Sequence, residues 1–133
     1  MDTMKKLFVI IDNGHGIETP GKRSPDGKFR EYLWTRRFAK KLSAALNESG
    51  IDNMLLVPEK EDIPLKTRCL RANTIYANMK EKEYEVILVS IHNNAAGNGK
   101  EWTAARGSCV YLYTKCGAKS RKLGDIYGRL SKE

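Results

Sequence analysis

Two continuous apolar runs constrain the fold of this chain more than any other feature. The first, K-L-F-V-I-I-D, spans residues 6–12, and the second, Y-E-V-I-L-V-S-I, spans residues 84–91. Neither run alternates between apolar and polar residues, as a strand with one solvated face would, so both are typical of strands buried on two faces. Such strands need helices over both faces of their sheet, and the runs therefore predict an α/β fold.

The segment after the first run has helical periodicity. Between residues 31 and 47, large apolar side chains recur every four residues from Trp34 to Leu46, with Lys and Arg between them. This pattern predicts an amphipathic helix, and Gly50 is a plausible stop signal just beyond it.

The remaining elements follow in alternating order. We predict a strand at 54–57, a helix at 64–79, a strand at 110–114 and a helix at 120–130. This order requires crossover connections, so we expect a mostly parallel twisted sheet with helices on both faces. We expect residues 1–133 to form one domain, because the chain is short and has no low-complexity linker.

The charge balance favours an anionic partner. The net charge is +8, from 24 basic and 16 acidic side chains, which suits a cell-wall polymer, a nucleic acid or a membrane surface. Many basic residues fall on one predicted helix, as do Arg36, Arg37, Lys40 and Lys41, and we interpret them as a solvated face. Because no basic stripe interleaved with aromatic residues is present, we do not predict nucleic-acid binding.

Apolar stretches and cysteines exclude further classes. No stretch is long enough for a membrane span or a signal-peptide core, so we expect cytoplasmic synthesis without a signal peptide and no membrane insertion. The three cysteines are odd in number and form no C-x-x-C pair. This spacing argues against a disulfide framework and against a structural zinc knuckle.

The two histidines of the chain follow the two apolar runs. His15 lies three residues after the first run, and His92 directly follows the second. Because the carboxyl ends of parallel strands meet at one edge of a sheet, where ligands gather, we expect both imidazoles there. A catalytic zinc ion needs three protein ligands and an open fourth position, so an acidic residue is needed to complete such a site.

Glu31 is the best candidate for that third ligand. It closes a long loop, residues 14–29, and opens the first predicted helix, so the loop can fold back and bring it over the sheet edge. A carboxylate at this position also stabilises the positive end of a helix, which is an alternative role. Spacing alone leaves Glu18, Asp26 and Glu101 open as ligands.

Four ordered motifs carry a resemblance to a known family. They are V-I-I-D-N-G-H-G, then Glu31 at the head of a helix, then L-x-x-R-x-x-x-A-N in residues 65–73, then S-I-H-N-N-A. Together they cover nearly the whole chain, which resembles the zinc-dependent N-acetylmuramoyl-L-alanine amidases of bacterial or phage type.

The resemblance implies a cofactor, a substrate and a reaction. It implies Zn²⁺ held by His15, Glu31 and His92, and hydrolysis of the amide between N-acetylmuramic acid and L-alanine in peptidoglycan, at the bacterial cell wall. Arg68 and Asn73 match the helix motif of the family, and we interpret them as structural.

The resemblance also places the general base outside this chain. In the family that base is a glutamate on a late strand, after the last helix predicted here, whereas this sequence ends at Glu133. We therefore assign no catalytic residue and expect a C-terminally incomplete domain that is weakly active or inactive alone and self-associates through an exposed sheet edge. The alternatives are a catalytically inactive zinc-containing module that binds cell wall, and a related metallohydrolase acting on another amide.

Overall fold

The computed structural model describes residues 4–132, which form two compact units, one reaching Trp102 and the other starting at Thr103. The helices and strands are β1 (Leu7–Asn13), α1 (Glu31–Glu48), β2 (Asp52–Leu55), α2 (Leu65–Glu81), β3 (Glu85–Ile91) and α3 (Ala118–Leu130). The three strands form a parallel sheet in the order β2-β1-β3. The predicted α/β class with a parallel sheet is confirmed.

Strand β1 is the centre of the core because its side chains are buried alternately on the two faces of the sheet. On one face Phe8 and Ile10 pack with residues that follow β2 and with α2. On the other face Val9 and Ile11 pack with Ala39 of α1 and with residues of β3. The first run is therefore apolar at consecutive positions because both faces are covered, as predicted.

The register of β1 and β3 decides where the functional residues lie. The two strands pair over their whole length, from Leu7 opposite Glu85 to Asn13 opposite Ile91. Both strands therefore end at the same level, and the segments that carry the two histidines leave the same edge of the sheet.

Helix α1 forms as predicted, and the second half of its apolar stripe, Leu42 and Leu46, packs against the core as expected, whereas the first half does not. Thr35 and Ala39 are buried, whereas Trp34 and Phe38 are 38% and 42% exposed. Small side chains at the buried positions let the helix lie close to the sheet, and the two large rings stack on each other instead, with centroids 5.1 Å apart.

The predicted strand at Val110–Thr114 is absent. This segment belongs to the second unit and pairs with no strand among residues 4–132, and its Tyr111 and Tyr113 are 82% and 71% exposed. β-branched and aromatic residues favour strands, but a strand needs a neighbour to share its hydrogen bonds.

Several boundaries also differ from the prediction, including the end of α2, which is Glu81 rather than residue 79. Strand β2 spans Asp52–Leu55 rather than 54–57. Leu56 and Val57 are apolar because they are buried in the core just beyond this strand. Helix α3 of the second unit begins two residues earlier than predicted, at Ala118. None of the helices within residues 4–132 has the length and apolarity needed to cross a membrane.

Arg68 joins helix α2 to the end of β1. Its Nη1 donates hydrogen bonds to Asp12 Oδ1 at 2.7 Å and to the carbonyl of Asn13 at 2.8 Å. The side chains of Arg68 and Asp12 are only 8% and 13% exposed. These contacts agree with the structural role predicted for Arg68, whereas Asn73 of the same motif is exposed.

We expect Arg68→Met to lower the free energy of unfolding by about 3–5 kcal/mol, because it leaves the Asp12 carboxylate, in a largely buried place, without its cationic partner and with only the hydroxyl of Ser90 as a side-chain donor. Urea unfolding measures this loss. The matched control is Arg71→Met on the same helix, which breaks an ion pair with Glu59 that is 34% exposed on both sides. That change is expected to cost about 0–1 kcal/mol, and equal losses in the two variants would contradict the prediction.

Candidate metal centre

The two histidines meet beyond the carboxyl ends of β1 and β3. The amide of Gly14 donates to the carbonyl of Ile91 at 2.9 Å, which keeps the two chains together one residue beyond β1. The centroids of the His15 and His92 imidazole rings lie 4.9 Å apart, and the ring planes meet at 84°. His15 Nε2 is 3.2 Å from His92 Nδ1. The structure thus brings together the two histidines that the sequence placed at this edge.

Glu31, the first residue of α1, completes the cluster. Its Oε1 lies 3.3 Å from His15 Nε2 and 3.3 Å from His92 Nδ1. The same oxygen accepts a hydrogen bond of 2.7 Å from the backbone amide of Asn93. The carboxylate therefore faces the segment after β3, so its role is not limited to stabilising the start of its own helix.

The buried carboxylate of Glu31 would be stabilised by a positive charge nearby. Its side chain is 5% exposed, and an ionised carboxylate is costly to remove from water unless it is paired. One amide donor and the positive end of α1 offset part of that cost. A cation held jointly with the two imidazoles would offset much more.

The spacing of the three donor atoms fits a tetrahedral zinc ion. Zinc bonds of about 2.0–2.2 Å place neighbouring ligand atoms of a tetrahedron about 3.3–3.6 Å apart. The three distances within the cluster of His15, Glu31 and His92 are 3.2, 3.3 and 3.3 Å. Two imidazoles and one carboxylate are also a donor set that catalytic zinc sites use. The side chain of His92 is 45% exposed, so one side of the cluster is open to solvent.

The other acidic residues of the two loops lie outside this cluster. Glu18 Oε1 accepts from the amide of Asp62, and Asp26 accepts from the amide of Lys28 within an exposed turn. Glu101 is exposed. Among residues 4–132, the only group of three or more potential metal-ligating side chains is the cluster of the two histidines and Glu31.

Glycines on either side of His15 allow this close approach. A Cβ atom on Gly14 would lie 2.3 Å from Cε1 of His92, and a Cβ atom on Gly16 would lie 2.0 Å from the backbone nitrogen of Asp62. Each distance is far below van der Waals contact. Gly14 is therefore needed for the position of the His92 ring, and Gly16 for the packing of the loop backbone.

Burial lowers the pKa of His15 from its ordinary value of 6.5, while the nearby Glu31 acts in the opposite direction and His92 reinforces the lowering. A metal ion binds the neutral imidazole, so a lowered pKa keeps His15 ready for a metal ion under mildly acidic conditions.

The lowered pKa of His15 predicts how stability depends on pH. The folded metal-free chain binds a proton at His15 less readily than the unfolded chain, so stability is expected to fall as the pH drops below 6.5. Urea unfolding in a chelator between pH 7.5 and 5 measures this. In His15→Asn, chosen because asparagine tolerates a positive φ, the slope should be shallower. An identical slope in the two proteins would contradict the assignment.

A known protein family matches most of this chain. Residues 9–132 match the family described as N-acetylmuramoyl-L-alanine amidase. The chain belongs to this amidase family. It is similar to the catalytic domain of CwlV, an N-acetylmuramoyl-L-alanine amidase from Bacillus (Paenibacillus) polymyxa var. colistinus, with a TM-score of 0.56 and 28% identity. The match covers 71% of this chain and 48% of that domain, so this chain spans about half of its length. No curated protein shows significant similarity to the chain.

The sequence interpretation missed one residue beside the cluster of this amidase-family chain. Arg36 was placed on a solvated helix face, but it is only partly exposed, and its guanidinium donates to the carbonyls of His15, Tyr32 and Glu59. Burial lowers the pKa of Arg36 from its ordinary value, as does the nearby Arg68 guanidinium. No sequence signal separates Arg36 from the exposed Arg37 beside it.

Proposed function

We propose that this chain binds Zn²⁺ through His15, Glu31 and His92 and acts in hydrolysis of the amide between N-acetylmuramic acid and L-alanine in peptidoglycan. The observation that carries the proposal is the convergence of three ligand atoms at tetrahedral spacing on one edge of the sheet. Membership of the amidase family supports the reaction and the substrate.

The residues of the cluster would have distinct roles in such a site. A bound zinc ion would polarise the scissile carbonyl and make water nucleophilic near neutral pH. Glu31 supplies the negative charge of the ligand set, and the amide of Asn93 fixes the orientation of its Oε1. Burial lowers the pKa of His15, which favours the neutral imidazole that a metal ion binds. His92 lines the solvent-exposed side, from which a substrate amide can enter.

We propose peptidoglycan as the partner and the bacterial cell wall as the place of action. The net charge of +8 suits an anionic polymer, because it attracts the polymer before specific contacts form. We assign no general base, since no second carboxylate joins the cluster among residues 4–132.

The test is digestion of purified peptidoglycan, with newly exposed L-alanine amino groups as the readout. We expect slow release of the L-alanine amino group by the zinc-loaded protein, because no general base is assigned within residues 4–132, with loss of release in a chelator and recovery when zinc is restored. Glu31→Gln should remove the zinc-dependent release. The matched control is Glu101→Gln, which changes an exposed carboxylate outside the cluster and should leave the release intact.

Three outcomes would overturn the proposal. Zinc-dependent binding to peptidoglycan without release points to a wall-binding module. Zinc-dependent cleavage of a different amide points to a related metallohydrolase. Release that Glu31→Gln does not affect places the chemistry outside this cluster.

A further inference from the structure

We propose that Arg36 is a positioning residue for the metal ligand His15. The inference rests on the proposed zinc site, and it assigns to Arg36 a function in metal affinity rather than in catalysis. It is carried by the backbone of His15 and by the hydrogen bonds that hold it.

The backbone conformation of His15 is not stabilised by its own segment of the chain. Its φ is +63°, in the left-handed region that residues other than glycine rarely adopt. The residues on either side, Gly14 and Gly16, are the least restrained of all residue types. A fixed imidazole at this position therefore needs contacts from outside the segment.

Arg36 supplies such a contact from helix α1. Its Nη1 donates to the carbonyl of His15 at 2.9 Å and to the carbonyl of Tyr32 at 3.3 Å. Its Nε and Nη2 both donate to the carbonyl of Glu59, at 2.9 and 2.7 Å. The guanidinium is thus anchored on its own helix and on the loop after β2, and it presents one fixed donor to His15.

A second guanidinium reaches the same carbonyl from the opposite face of the sheet. Arg68 Nη2 of α2 lies 3.3 Å from the carbonyl oxygen of His15. The orientation of this carbonyl is set by the backbone of His15, and the same backbone sets the direction of the imidazole. Holding the carbonyl therefore directs Nε2 of His15 toward Glu31 and His92.

The direction of the change in zinc affinity on loss of Arg36 distinguishes a positioning role from an effect of its charge. Arg36 contacts the backbone of His15 and makes no hydrogen bond to the imidazole nitrogens. A positive charge near a cation site opposes cation binding, so loss of Arg36 would raise zinc affinity if charge alone mattered. If Arg36 orients His15, its loss must lower zinc affinity.

Zinc affinity measured by competition with a chelator tests this. Arg36→Met is expected to weaken binding by about 10–100-fold, the usual effect of removing an outer partner of a metal ligand. Arg36→Lys keeps the positive charge but lacks the several donors of the planar guanidinium. Its zinc affinity should therefore lie between those of Arg36→Met and the wild type. Arg71→Met is the control, because Arg71 also binds the 56–59 loop but does not contact His15.

A double-mutant cycle shows whether the effect passes through His15. In a His15→Asn background, Arg36→Met should cause no further loss of residual zinc affinity, because the ligand that it positions is gone. The absorption spectrum of bound Co²⁺ gives a second readout, and it should lose tetrahedral character in Arg36→Met. If Arg36→Met does not fold, Arg36→Lys and its cycle carry the test.

Unchanged or increased zinc affinity in Arg36→Met would overturn the inference, as would an equal loss in the His15→Asn background. A wild-type protein that binds no zinc would instead overturn the proposed function. The two failures are therefore distinguishable.

Discussion

Glu31→Gln is expected to abolish tight zinc binding and to leave the metal-free protein at least as stable as the wild type. The side chain of Glu31 is 5% exposed and faces two imidazole nitrogens at 3.3 Å. Glutamine keeps the shape and can still accept the amide hydrogen bond of Asn93. It removes the only negative charge of the ligand set, which attracts the zinc ion, and also the cost of burying that charge in the metal-free state.

Unfolding measured with zinc and with a chelator separates the two effects. Zinc at 100 times its dissociation constant should stabilise the wild type by about 2.7 kcal/mol and should not stabilise Glu31→Gln. The control is Glu59→Gln, which changes a carboxylate that is 34% exposed and outside the cluster, and should keep the full zinc effect. A zinc-dependent gain in Glu31→Gln equal to that of the wild type would show that Glu31 is not a ligand.

Gly14→Ala is the second change with a large expected effect. The added methyl group would lie 2.3–2.8 Å from three atoms of the His92 ring. Gly14 lies outside the left-handed region, so the backbone accepts alanine, and the contact is with the end of a side chain that can rotate away. We therefore expect a folded protein whose zinc affinity is at least about tenfold weaker, because His92 leaves its place.

Two further glycine substitutions serve as controls for Gly14→Ala. Gly16→Ala places its methyl group 2.0 Å from the backbone of Asp62, which cannot rotate away, so it should destabilise the fold itself. Gly128→Ala in helix α3 meets open space and is expected to stabilise the protein by up to about 1 kcal/mol. Zinc affinity in Gly14→Ala equal to that of the wild type would contradict the geometry described for His92.

The sheet could be predicted from the sequence because each of its two long strands is apolar at five of seven positions. Residues 7–13 and 85–91 lie within or next to the two predicted runs. Strand β1 is buried on both faces as predicted, whereas β3 is an outer strand of the sheet within residues 4–132 and its Leu88 is 48% exposed, so the predicted burial of the second run is wrong. The same reasoning placed His15 and His92 at one edge. Both predictions depend on apolar runs, which identify strands even where their burial is incomplete.

The predictions that were wrong for residues 110–114 and for the first half of α1 concern features that depend on the neighbouring elements rather than on the apolarity of the segment itself. Val110–Thr114 has the composition of a strand but pairs with no strand within residues 4–132. The apolar spacing of α1 pointed to Trp34 and Phe38, whereas the small residues Thr35 and Ala39 face the sheet. Periodicity identifies a helix, but the closeness of approach decides which of two neighbouring stripes is buried.

Position made Glu31 the best candidate for the third ligand, but only the family resemblance separated it from the other acidic residues. Spacing left Glu18, Asp26 and Glu101 open, because the path of a 16-residue loop does not follow from its composition. In the structure the amide of Glu31 donates to the carbonyl of Lys22 at 3.0 Å, which fixes where the helix starts. Long-range backbone contacts of this kind leave no pattern in the sequence.

The most direct test of the proposed metal centre is a crystal structure of the zinc-loaded protein with anomalous diffraction measured at the zinc absorption edge. We expect one zinc ion within about 2.0–2.2 Å of His15 Nε2, Glu31 Oε1 and His92 Nδ1, with the fourth position facing solvent. A zinc ion bound elsewhere on the chain, or a loaded protein in which Glu31 points away from the two imidazoles, would contradict it.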